Sequence, residues 1–172
     1  VLELVPNRWY GRAVLMCEQC GDFPDFSAQH APEPLGGVRA VPRSRPRVLL
    51  VDDSEQHLEL YRSMLDGLAI VRTTQQGHAA VYMAAAEHFD AIVLDVMMPG
   101  MDGWEVCRRL KDDPGTADIP IVMLTSLDGK DVPSRAREMG AAAVLMKPCP
   151  VERLMLVLNA ALRQRGAERA GH

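Results

Sequence analysis

Between Arg47 and Arg163 the chain alternates short apolar runs with segments of helical periodicity, five times over. The runs are Val48-Leu49-Leu50-Val51, Ala69-Ile70-Val71-Arg72-Thr73, Ala91-Ile92-Val93-Leu94, Ile119-Pro120-Ile121-Val122-Met123-Leu124 and Ala143-Val144-Leu145-Met146. Runs that are apolar throughout, rather than at every second position, suit strands covered on both faces. The segments between them read as helices. Ser54 caps one that carries Leu58, Tyr61, Leu65 and Leu68, with Gly67 near its end. Others span Ala79 to His88, Trp104 to Lys111, Val132 to Met139 and Val151 to Arg163. This alternation predicts an α/β fold, a doubly wound parallel sheet with helices on both faces. Right-handed crossovers align the strand C-termini along one edge, where sheets of this kind bind their ligands.

Four of the five runs deliver a polar group to that edge. The first ends in Asp52-Asp53, the third in Asp95, the fourth in Thr125-Ser126 and the fifth in Lys147-Pro148. One Asp after a strand is ordinarily a turn or cap residue. Three carboxylates, a hydroxyl and an ammonium on one rim are poorly explained by folding alone. Crowded carboxylates repel, and one is driven to protonate unless a cation intervenes. A hard divalent ion with oxygen ligands fits, Mg²⁺ above all. A cation, a lysine and a hydroxyl also form a set suited to holding a phosphoryl group. An ionised carboxylate can be the nucleophile that takes it, and Asp95, on the central run, is the candidate. No histidine lies at these strand ends to act as a base.

These residues carry a resemblance. Val48 to Ser54, Asp95-Val96-Met97-Met98-Pro99-Gly100-Met101-Asp102-Gly103, Leu124-Thr125-Ser126 and Met146-Lys147-Pro148 resemble the signature of bacterial response-regulator receiver domains, over about residues 47–164. The resemblance implies a flavodoxin-like five-stranded sheet in the order 2-1-3-4-5. It implies that Asp95 accepts phosphate from a histidine kinase or phosphotransfer protein. Asp53 and Asp95 would bind Mg²⁺ directly, Asp52 through water, and the Met97 carbonyl would add a ligand. Thr125 and Lys147 would contact the phosphoryl oxygens. The chain would then be a switch in a two-component phosphorelay acting on an output protein the sequence does not identify. It would be no enzyme beyond phosphorylating itself and slowly losing the phosphate.

One departure bears on the switch. Receiver domains commonly carry an aromatic residue three positions before the lysine, and here that position is Val144. The expectation is that the loop after Thr125, and the helix and strand that follow, carry any response. The last helix offers Leu154, Met155, Leu156, Val157, Leu158 and Leu162, more than one face buries against a sheet. Either the core is generous, or Met155 and Leu156 belong to a partner or homodimer surface within 144–163. Two other readings compete. A pseudo-receiver would bind partners without phosphorylation, which the full acidic set and Lys147 oppose. A haloacid-dehalogenase-like phosphatase wants a second Asp two residues after the nucleophile, where Met97 stands.

Residues 1–46 have another texture. They hold half of the 12 prolines, and their acids and bases cancel, so the net charge of -4 lies wholly in 47–172. Such a balance does not point to nucleic acid. The segment reads as a loosely ordered extension and linker, and residues 165–172 as a short tail with no output domain. Val1 and the Arg/Pro/Gly-rich texture also fit an upstream extension of the gene model. Cys17-Glu18-Gln19-Cys20 is a lone CxxC, open to zinc, redox chemistry or neither. No apolar run reaches the roughly 18–20 residues of a membrane span, and no signal-peptide pattern opens the chain. Four scattered cysteines form no disulfide framework. A cytoplasmic protein is the expectation.

Overall fold

The structure, a computed structural model, describes the backbone of residues 2–6, 13–17, 23–24 and 45–170, and the side chains of 45–150 and 152–165. The chain forms two compact units, Val1–Ser44 and Arg45–His172. The first holds three strands that the sequence reading leaves unassigned in its loosely ordered extension: β1 (Leu2–Pro6), β2 (Ala13–Cys17) and β3 (Phe23–Pro24). They pair antiparallel in the order β1-β2-β3, with Leu2 opposite Cys17 and Leu15 opposite Phe23. The side chains of the CxxC lie outside the described residues.

In the second unit the alternation read from the sequence takes shape as β4 (Arg47–Val51), α1 (Glu55–Leu65), β5 (Ile70–Thr74), α2 (Gly77–Ala86), β6 (Ala91–Asp95), α3 (Gly103–Asp112), β7 (Ile121–Thr125), α4 (Val132–Glu138), β8 (Ala143–Met146) and α5 (Val151–Ala170). All strand pairings are parallel, and the order is β5-β4-β6-β7-β8, which is 2-1-3-4-5 within the unit. The flavodoxin-like fold expected from the sequence is the one observed. Apolar composition follows position in the sheet. β6 and β7 are buried at every residue, whereas the edge strand β5, with Arg72 and two threonines, is largely open.

Register sets the functional edge. Val51 lies beside Leu94, Asp95 beside Leu124, and Thr125 beside Met146. The residues just past these pairs therefore step along a single rim, in the order Asp52, Asp95, Thr125, Lys147. Helix starts are fixed locally. Ser54 Oγ accepts from His57 N at 3.4 Å, and Asp102 Oδ1 accepts from Glu105 N at 2.8 Å. Caps of this kind contribute about 1 kcal/mol each. α3 begins so close to β6 that a Cβ on Gly103 would overlap the Asp95 carbonyl oxygen and crowd the Val96 Cα. Only glycine lets the helix seat there.

Two expectations change. The spacing places Leu68 on the apolar stripe of the first helix, but α1 ends at Leu65 and Leu68 is 53% exposed. Gly67, at φ +74°, turns the chain left-handed before Leu68 can continue the stripe. The tail expected from residue 165 is instead helical to Ala170, as Ala167, Glu168 and Ala170 favour. Of the α5 apolar residues, Leu154 and Leu158 are in the core, with Ala161 one turn on, while Leu156 is 58% exposed. Among the described residues no helix is long and apolar enough to cross a membrane.

Candidate functional site

Each strand end delivers its side chain to a common point. Asp52, Asp53 and Asp95 each place a carboxylate oxygen within 4.8 Å of the other two. Asp52 and Asp95 are buried and Asp53 is exposed, so the cluster opens to solvent on the Asp53 side. Lys147 reaches in from the end of β8. Its Nζ donates to Asp52 Oδ2 at 2.6 Å and pairs with Asp95 Oδ1 at 3.1 Å. Only 9% of its side chain is exposed. Its position follows from backbone: Lys147 N donates to Thr125 O at 2.7 Å, extending the β7–β8 ladder past the last paired residues.

One ammonium does not neutralise three carboxylates. Burial, the largest influence, raises the Asp95 pKa above the ordinary aspartate range, and the Asp52 charge adds to it. Lys147 and the Met97 N–H, which donates to Asp95 Oδ1 at 3.3 Å, pull the other way without prevailing. A buried acid held in this balance is what a cation relieves. Oxygen-only ligands with one open side match a hard ion that keeps part of its water.

Thr125 is fully buried, and its Oγ1 accepts from Leu127 N at 3.0 Å. That bond ties the hydroxyl to the loop leaving β7. The Met97 peptide stands beside Asp95 through the N–H just described, while its side chain is 55% exposed. All the residues singled out from the sequence thus converge on one edge. Val144 lies in the core at 1% exposure.

The sequence reading missed two neighbours. It places no histidine at the strand ends, but α1 returns one. His57 Nδ1 lies 3.0 Å from Asp52 Oδ1 and 3.4 Å from Lys147 Nζ. The signal was available: His57 is three residues after the Ser54 cap, in the helix turn that faces back toward the strand it follows. Tyr61, one turn further, packs against the His57 ring at 6.3 Å. Burial first, then the nearby Cys149, Asp52 and Asp95, pushes its hydroxyl up to about 12. Beside the carboxylates a cleft of about 630 Å³ is lined by Asp53, Met97, Trp104 and Arg135, among others. No pattern in the sequence marks Arg135.

A parallel sheet with its charged groups gathered at the C-terminal rim defines a receiver-type α/β domain, and comparison with known proteins agrees. Residues 48–159 match the family model of the response regulator receiver domain. The chain belongs to this family, the receiver domains of two-component systems. Over 103 residues it is 48% identical to the response regulator PleD of Caulobacter vibrioides, covering 59% of this chain and 23% of PleD. Over 119 residues it is 39% identical to the response regulator MprA of Mycolicibacterium vanbaalenii, covering 69% of this chain and 51% of that protein. The chain thus spans about a quarter to a half of these relatives. Among solved structures, the Vibrio cholerae chemotaxis protein CheY4 superposes with a TM-score of 0.65 at 30% identity, over 69% of this chain and 99% of that one. Response regulators interact with histidine kinases and with output partners.

Proposed function

We propose that this chain is a phosphoryl-accepting switch in which Asp95 takes phosphate from a histidine kinase or phosphotransfer protein. The observation that carries the reading is the pairing of one buried lysine with two buried carboxylates, Asp52 and Asp95, beside a third that is open to solvent. A structural salt bridge needs one acid, and the surplus charge has a use only if a cation and an anion come to the site.

Asp52, Asp53 and Asp95, with the Met97 carbonyl, would hold Mg²⁺, which when bound supplies positive charge against the crowded carboxylates and the arriving phosphoryl oxygens. The Asp95 carboxylate attacks phosphorus in line, and the donor's bond to phosphorus breaks. Lys147, poised 3.1 Å from Asp95, neutralises charge on the transferred group. Thr125 offers its hydroxyl from the neighbouring strand end and exchanges its loop contact at Leu127 for the phosphoryl oxygen. In this reading the chain phosphorylates itself and slowly loses the phosphate, and no second reaction is assigned to it. The output is partner binding, in a cytoplasmic setting. Leu156, exposed on α5, offers one surface for a partner or for a second copy through 144–163.

The test is incubation with Mg²⁺ and acetyl phosphate, followed by intact-mass measurement. Wild type is expected to gain one phosphoryl group and Asp95→Asn none. Equal labelling of both would move the acceptor elsewhere, and no labelling of wild type would favour a pseudo-receiver.

A further inference from the structure

His57 has no part in the phosphoryl-accepting set, yet it touches two of its members. It stands at the third position of α1, and its backbone N–H donates to the Ser54 Oγ cap at 3.4 Å. In a capping box that position carries Glu or Gln, reaching back to the cap residue. Here the side chain reaches further, to the end of β4. Nδ1 lies 3.0 Å from Asp52 Oδ1 and 3.4 Å from Lys147 Nζ. One ring nitrogen serves only one of these groups. With a hydrogen it donates to the carboxylate; without one it accepts from the ammonium and meets the Asp52 oxygen lone pair to lone pair. The shorter contact decides, since 3.0 Å is an ordinary length for such a bond and 3.4 Å is long.

Asp52 is 2% exposed, so its charge depends on the donors around it. Oδ1 takes the Ser54 N–H at 3.0 Å and the His57 ring, and Oδ2 takes Lys147 Nζ at 2.6 Å. The reaction asks different things of these donors. Lys147 also faces Asp95 at 3.1 Å, and in the proposed transfer it turns to the phosphoryl group. Among the described residues, the Ser54 N–H and the His57 ring hydrogen-bond to no other carboxylate. Without the ring, a single backbone N–H would hold a buried carboxylate when the lysine moves. The ring is itself held. The cap fixes its backbone, and Tyr61, 4% exposed, stands one turn behind it with ring centres 6.3 Å apart. A fixed donor behind a metal-binding carboxylate orients that carboxylate.

We propose that His57 is a positioning residue for the ion site: its Nδ1–H holds Asp52 in the carboxylate cluster and keeps it there when Lys147 turns to the phosphoryl group. The inference rests on Asp52, Asp53 and Asp95 forming the Mg²⁺ site of the proposed function. His57 acts through Asp52 and touches neither the ion nor the phosphate. Its loss therefore shows in ion affinity rather than in the rate once the ion is bound.

The experiment measures the Mg²⁺ affinity of the full, unphosphorylated chain by titration calorimetry, in wild type, His57→Leu and His57→Asn. Asparagine brings an amide N–H close to the Nδ1 position, and leucine has similar branching with no polar atom. His57→Leu is expected to weaken Mg²⁺ binding about 10-fold, and His57→Asn to stay within about 3-fold of wild type. Phosphorylation by acetyl phosphate, read by intact mass, should be slow in His57→Leu at low Mg²⁺ and return to within about 2-fold of wild type at saturating Mg²⁺. NMR of the imidazole nitrogens in the ion-free wild-type chain, which needs no variant, should show a hydrogen on Nδ1 of His57. A bare Nδ1, or equal weakening in both variants, would overturn the proposal. A His57→Leu rate that stays low at saturating Mg²⁺ would place His57 in the transfer step itself and overturn it too. Should wild type bind no Mg²⁺, the ion-site reading fails and this inference with it. Normal binding in wild type that His57→Leu leaves unchanged would remove this inference alone.

Discussion

Asp95→Asn is expected to make the domain more stable when no divalent ion is present. Charge arithmetic shows why the gain is modest. At an effective dielectric constant of about 20, a unit pair at the Lys147–Asp95 distance of 3.1 Å attracts by about 5 kcal/mol. Asp52, no farther than 4.8 Å from Asp95, repels by at least about 3.5 kcal/mol on the same scale. Asp53 is exposed, so its repulsion is nearer the value in water, about 1 kcal/mol. Attraction and repulsion almost cancel, and burial of the carboxylate decides the sign, in keeping with a pKa raised above the ordinary value. An asparagine keeps the acceptor oxygen for the Met97 N–H and removes the charge. The expected gain is about 1 kcal/mol, or about 3–5 °C in melting temperature for a unit of this size. The pH dependence has a definite sign. A carboxyl that binds its proton more readily when folded destabilises the fold above its folded pKa, and the penalty vanishes below its unfolded value near 4. Thermal melts in EDTA should therefore show Asp95→Asn above wild type at pH 7.5, with the gap closing as pH falls through that window. A variant no more stable than wild type at pH 7.5, or a gap that widens in acid, would refute the reasoning.

Three further outcomes follow from the same geometry. Lys147→Met strands Asp52 and Asp95 without a counter-charge and should lose about 3–5 kcal/mol in urea unfolding, part of which Asp95→Asn restores in the double variant. Gly103→Ala forces the start of α3 off the end of β6 and should lose about 2–3 kcal/mol, against about 1 kcal/mol for Gly67→Ala, where a Cβ meets open space and only the positive φ resists. In an absorbance titration of the three tyrosines, the component near pH 12 should vanish in Tyr61→Phe and in no other tyrosine variant.

The edge that carries the site was legible because each of its members ends an apolar run. Strand ends are marked by a change from Val, Leu and Ile to Asp, Thr or Lys, and parallel connection does the rest. Neither His57 nor Arg135 has such a mark. His57 reaches Asp52 through a helix turn, which the Ser54 cap makes readable after the fact. Arg135 meets Trp104 through tertiary packing of α4 against α3, which no local pattern encodes. Leu68 failed for a different reason: its spacing fits the helix, but Gly67 ends the helix before the spacing can matter. The conflict at the rim is itself informative. Folding favours pairing or removing buried charge, and a chain that keeps three carboxylates on one lysine departs from that preference where chemistry requires it.

The same packing bears on where a response to phosphate can travel. Val144 is 1% exposed on the edge strand β8, opposite Met123 of β7, so it is packed in the core and has no ring to swing. β6 and β7 are buried throughout and move only as a block. The segment leaving Thr125 is different. Residues 128–131 are exposed, and α4 has seven residues, of which Val132 and Ala136 are buried. A helix that short holds its place by tertiary contact rather than by its own hydrogen bonds. Its ties include those two side chains and the Arg135–Trp104 stack. When Thr125 gives up Leu127 for a phosphoryl oxygen, the loop and α4 are the elements able to take up the change. Structures with and without a phosphoryl mimic, at full occupancy, should differ within 125–145 and coincide across β4 and β6. An unchanged 125–145 segment would place the response elsewhere and leave Val144 as a position where the domain forgoes the switch.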